Sequence, residues 1–165
     1  MRTAARLLSL LFSGVFAGFL VCVLVVELSL RAANASVYTQ VRLVELDHLD
    51  TLAAATLLPA ILATASLVVQ ARRQPGWWIP LTALGLLLAV FVLTLTVNLP
   101  INHDQASWNP TGPPADWKAV RDRWQIAHVA RTMAAVLAIT GLATATVRRK
   151  AARKPRSPPP SRLRP

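Results

Sequence analysis

Four apolar runs, at residues 7–30, 52–69, 78–101 and 126–147, are separated by segments rich in Arg, Asp, Pro or Trp. An α-helix needs roughly 20 apolar residues to cross a bilayer, and each run approaches or exceeds that length. The pattern predicts an all-α integral membrane four-helix bundle. Arg2, Arg6 and the tripeptide Ala33-Asn34-Ala35 give the first run the look of a cleaved leader. A leader's apolar core is about 7–15 residues, however, so residues 7–30 are read as a span. Gly14 and Gly18 lie there at a spacing that lets helices approach closely.

The first connection carries Val37, Val41, Val44, Leu46 and Leu49 at near-helical intervals, which predicts a separate surface helix over residues 36–49. Asp50 and Thr51 would then cap the second span, and Pro59 would kink it. The run Arg72-Arg73-Gln74-Pro75-Gly76 predicts a tight turn, with Trp77 and Trp78 at interfacial depth. The third span ends near Asn98-Leu99-Pro100-Ile101-Asn102-His103, followed by a loop with Pro110, Pro113 and Pro114. Helix resumes at Asp116. From there Trp117, Arg121, Trp124, His128, Arg131 and Ala135 recur every three or four residues, on one face. Ala134, Ala138, Gly141 and Ala145 form a small-residue seam on the same helix.

Charge sets the orientation. One side of the membrane receives Arg2, Arg6, Arg72, Arg73 and the eight basic residues of the tail 148–165; the other receives Arg31, Arg42, Lys118, Arg121 and Arg123, diluted by acids. By the positive-inside rule both termini are cytoplasmic, and the expected location is the cell membrane. The net charge of +11 raises nucleic acid as a partner. Much of it sits in the Pro-rich tail, expected to be disordered and to lie near anionic lipid, with no aromatics interspersed for base stacking. No nucleic-acid partner is expected. The single cysteine, Cys22, excludes an internal disulfide, thiolate zinc sites and Cys-x-x-Cys-His haem attachment.

Arg131 is the sharpest chemical feature, because a charge at the centre of a spanning helix costs on the order of 2.5–3.5 kcal/mol on insertion scales. It has either a partner, with Glu27 and carbonyls near Pro100 as candidates, or a ligand to face. His48, His103 and His128 fall at the same predicted end of the bundle, as do Glu27, Asn98 and Asn102, which suggests a polar chamber there. Plainer roles remain open: Asn98 and Asn102 as helix caps, Trp117 and Trp124 as interfacial anchors. The three histidines with Asp50, Asp104 or Glu27 also raise an iron or copper site, although no His-x-x-x-His or His-x-x-Glu pair supports it. No metal is expected.

Val97-Asn98-Leu99-Pro100-Ile101-Asn102, a Pro-containing loop, then Arg121-Asp122-Arg123-Trp124 with His128 and Arg131, resembles the anthrone oxygenase-like family of small four-span membrane proteins. The resemblance covers residues 5–147, most specifically residues 98–131. It implies oxygenation of an anthrone to an anthraquinone, with molecular oxygen as co-substrate and no organic cofactor. Carried over by motif, Asn98, Pro100, Asn102, Trp124, His128 and Arg131 are candidate site residues; topology adds Glu27, His48, His103 and Trp117. In this reading His128 is the general base, Arg131 with Asn98 or Asn102 stabilises the oxyanion, and Trp124 and Trp117 stack on a flat aromatic substrate. Two alternatives stay open: a non-catalytic ligand-binding or accessory membrane protein, and a His-ligated metal oxidase. A homo-oligomer is compatible with all three.

Overall fold

The computed structural model describes residues 2–152. Its long helices are α1 (Arg2–Ser29), α2 (Ala35–Ala71), α3 (Trp78–Leu93) and α5 (Trp117–Ala152), with the short α4 (Leu99–Gln105) continuing α3. Four helical segments are long and apolar enough to cross a membrane, and the chain is a multi-pass membrane protein. α1 packs on α2 and α5, and α3 closes the ring against the same two helices, giving an antiparallel bundle. The start of α1, the end of α5 and the turn at residues 72–77 share one end, the terminal end. The connections at residues 30–34 and 106–116 form the other, the loop end. Leu7, Leu11, Leu62, Val92, Ile126 and Leu137 point outward and are exposed, as a lipid-facing surface requires.

Inside, Phe16, Leu20, Leu57, Leu87, Val90 and Leu142 pack with Ala60, Ala83, Ala135 and Ala138. Alanines from three helices let the backbones approach, as dispersion-driven packing in lipid favours. Ser9 Oγ and Thr64 Oγ1, 2.8 Å apart, join α1 to α2 at the terminal end. Gly14 and Gly18 do not mark a close approach: an added Cβ would meet Ile139 at an ordinary 3.9 Å and nothing, respectively.

The expected surface helix is helical but not separate. Asn34 caps it through the Val37 N–H (3.0 Å), and α2 then runs unbroken through residues 36–49 into the second span. The reason is local: neither glycine nor proline occurs between Asn34 and Pro59. Asp50 and Thr51 are therefore mid-helix rather than capping residues. α5 likewise continues through Ala152, so the first five residues of the tail expected to be disordered are helical; Arg, Lys and Ala are all strong helix formers. The rest of that tail, residues 153–165, lies outside the described residues.

Between α3 and α4, residues Thr94–Asn98 form a π-helical turn. Pro100 has no N–H to offer the carbonyl four residues back, so the regular ladder fails there, and the widened turn absorbs the break. This turn faces Arg131.

Candidate functional site

α2, α4 and α5 bring together at the loop end a set of buried polar side chains that hydrogen-bond to one another. At its centre is Arg42, only 2% exposed. Its Nη1 lies 2.7 Å from Glu45 and 3.5 Å from Glu27. Its Nε donates to Gln105 Oε1 (3.0 Å) and its Nη2 to Asn102 Oδ1 (2.8 Å). Trp124 Nε1 donates to the same Asn102 oxygen at 2.7 Å, which fixes the amide so that its nitrogen donates to both carboxylate oxygens of Asp50, at 2.8 and 3.1 Å. Gln125 donates to Glu27 Oε2 (2.9 Å) and accepts from Arg31 (2.5 Å), which extends the network to the end of α1. A buried ion pair is tolerable when its remaining donors and acceptors are satisfied, and these nearly all are.

Above the network, Tyr38, Trp108, Trp117 and Val120 form a separate apolar cap. Trp117 packs on Tyr38, with ring centroids 5.4 Å apart, beneath the Arg121 guanidinium.

Below it lies a cavity of about 160 Å³. Its walls are largely apolar, with Phe16 and Phe19 from α1 and Phe91 from α3, and its polar rim is Arg42, Glu45, Asp50, Asn102, Trp124, His128 and Arg131. His128 Nε2 lies 3.0 Å from the carbonyl of Leu20. A carbonyl only accepts, so Nε2 carries the hydrogen and the lone pair is on Nδ1. That lone pair accepts from Arg131 Nη2 at 2.8 Å. The other terminal nitrogen of Arg131 donates to Thr94 Oγ1 of the π-helical turn at 3.0 Å. Arg131 is 7% exposed, its Nε has no hydrogen-bond partner, and among the described residues it has no carboxylate within ion-pairing distance.

The α5 stripe is thus one buried face, from Trp117 through Arg121, Trp124, His128 and Arg131 to Ala135. Trp124, His128, Arg131 and Asn102 reach the cavity together. The other candidates do not. Asn98 is buried behind the wall, donating to the Trp124 carbonyl at 3.3 Å. Glu27, wholly buried, anchors Arg42 rather than Arg131. Trp117 belongs to the cap, and Pro100, His103 and His48 are exposed outside the cavity. Among the described residues, no three His, Cys, Asp or Glu side chains come together as a metal site. The Trp124 indole already carries the His128 ring, parallel at 4.7 Å, and the Arg42 guanidinium at 4.3 Å. The aromatic surface left to a flat ligand is that of the phenylalanines.

Sequence reasoning missed Arg42, Asp50, Thr94, Gln105 and Gln125 as members of the site. A signal existed for the first two: Arg42, Leu46, Asp50 and Ala53 keep helical spacing through the supposed boundary at residue 50. One continuous α2 would have turned them to the same side as Leu57.

The sequence profile of the anthrone oxygenase family matches residues 48–141, which include the cavity-lining residues of α2 from Leu49 onward but not Arg42 or Glu45, and the π-helical turn, α4 and the whole α5 stripe. No curated protein and no solved structure matches the chain.

Proposed function

Because this chain belongs to the anthrone oxygenase family, we propose that its cavity binds an anthrone-like polycyclic ketone or phenol and that the protein oxygenates it without an organic cofactor. The observation that carries this reading is Arg131, a buried guanidinium without a carboxylate partner among the described residues, at the wall of an apolar cavity. A cation in that setting is maintained at a cost, and a ligand oxygen that gains negative charge during reaction is the partner that offsets it.

The chemistry suits the residues. An anthrone loses a proton from its CH₂ carbon to give an enolate, and the electron-rich enolate reduces oxygen directly. The resulting hydroperoxide loses water to give the quinone, so one anthrone and one O₂ yield one anthraquinone and one H₂O. Arg131 receives the enolate oxygen in this reading, while the Asn102 amide stays engaged with Asp50. When Arg131 turns its N–H from His128 to that oxygen, the Nδ1 lone pair is freed to take the proton, so charge stabilisation and proton removal are linked. The phenylalanines supply the apolar bed for the rings. The same reading places the bundle in the cell membrane with both termini cytoplasmic, a hydrophobic aromatic molecule and the bilayer as partners, and no metal or nucleic acid.

Purified protein in lipid nanodiscs, supplied with anthrone, should consume oxygen and form anthraquinone one to one. His128→Phe should keep the fold and lose turnover by at least about 100-fold, the size of a general-base contribution. Turnover at the wild-type rate in a folded His128→Phe protein would refute the assignment of the base. For orientation, Ser107→Cys, in the exposed loop, should react with a membrane-impermeant maleimide in intact cells.

A further inference from the structure

Two opposite charges line this cavity without meeting. Arg131 on α5 has no carboxylate within ion-pairing distance, and Asp50 on α2 has no cation within that distance among the described residues. Everywhere else in the network an acid and a base close on each other, as Arg42 does with Glu45 at 2.7 Å. The Asp50 carboxylate is not loose: Asn102 takes one lone pair on each oxygen, and Arg42 and Trp124 hold Asn102 in turn. A carboxylate has about four acceptor sites, so two of them stay open on an oriented group.

Position separates the roles of the two charges. Asp50, Ala54 and Leu58 line both the cavity and a shallow groove on the lipid-facing side of α2 that ends at Pro59, so Asp50 stands at the mouth. Arg131 and His128 are in the interior. A ligand that fills the space between them meets an acceptor at one end and donors at the other.

Resting on the oxygenase reading above, we propose that Asp50 is a specificity residue: it accepts a hydrogen bond from a hydroxyl on the ring edge remote from the carbonyl that Arg131 holds. The preferred ligand class is therefore a polycyclic aromatic ketone with a distal phenolic hydroxyl, entering from the bilayer beside α2 with its carbonyl leading. A hydrogen bond to a charged group is worth about 1.5–3 kcal/mol, or roughly 10- to 150-fold in affinity.

Three unreactive flat ketones test this by binding to the protein in nanodiscs: 9-fluorenone, 2-hydroxy-9-fluorenone and 2-methoxy-9-fluorenone. Wild type should prefer the hydroxy over the methoxy compound by at least tenfold. In Asp50→Asn and Asp50→Ala that preference should fall below about twofold, while Asp47→Asn, at an exposed carboxylate of the same helix outside the cavity, should retain it. The preference is a ratio within one sample, so it does not depend on how much of each variant is folded. Equal affinity for hydroxy and methoxy compounds in wild type, or an unchanged preference in both Asp50 variants, would overturn the role of Asp50 and leave the oxygenase reading intact. Failure of wild type to bind any of the three ketones would overturn both.

Discussion

Of the arginines buried among the described residues, Arg42 and Arg131 both line the cavity, and their surroundings differ in the one respect that separates structure from function. Arg42 is held by two carboxylates and two amide oxygens from α1, α2 and α4. Arg131 is held by one hydroxyl and one imidazole, has an unbonded Nε, and faces a cavity. Both are charges removed from water, but the desolvation of Arg42 is offset within the chain and that of Arg131 is not. A residue whose cost is met by its neighbours holds the fold together. One whose cost is left open has its partner elsewhere, and the cavity beside Arg131 is where such a partner fits.

The largest effect that would break this contrast belongs to Arg42. Replacing it by Met leaves Glu27 and Glu45 without their cation and should destabilise the bundle by about 3–5 kcal/mol, measured by unfolding in detergent. If Arg42→Met unfolds like wild type, the network is not what holds the loop end. Gln125→Leu sharpens the same point more gently. It removes the donor to Glu27 Oε2 and the acceptor for Arg31 but leaves the ion pair, so the expected loss is about 1–3 kcal/mol. At the terminal end, where no charge network exists among the described residues, Ser9→Ala deletes a single hydroxyl pair. Hydrogen bonds between membrane helices average about 0.6 kcal/mol, and the cost should be no larger than that.

The sequence pattern carried the bundle well because spans are long apolar runs whose length is fixed by the bilayer, and because the α5 stripe keeps one helical period from Trp117 to Ala135. Trp124, His128, Arg131 and Asn102 were therefore legible as neighbours. What was not legible came from a boundary drawn where hydropathy falls. Residues 36–49 are too polar to be read as a span, so Arg42 and Asp50 were assigned to a surface segment and a cap. Helix continuity depends on backbone propensity rather than on hydropathy, and nothing there breaks α2. Glu27 was placed at the right end of the bundle but given the wrong arginine, since its distance to Arg42 or Arg131 depends on how α1 is rotated against its neighbours, which periodicity does not fix. The phenylalanine walls escaped notice for a related reason: Phe16, Phe19 and Phe91 are indistinguishable in sequence from lipid-facing residues.

The most direct test pairs stability with turnover at Arg131. Arg131→Met and Arg131→Lys are assayed in nanodiscs for anthrone-dependent oxygen uptake, and each is melted in detergent beside wild type. Loss of an oxyanion donor typically costs 100- to 1,000-fold in rate. Both variants should lose about that much, since an ammonium does not reproduce the planar fork of donors. Arg131→Met should melt at or above the wild-type temperature, because it removes a buried charge that no carboxylate among the described residues pairs with. A folded Arg131→Met protein that turns over anthrone at the wild-type rate, or one that melts as early as Arg42→Met, would contradict the account.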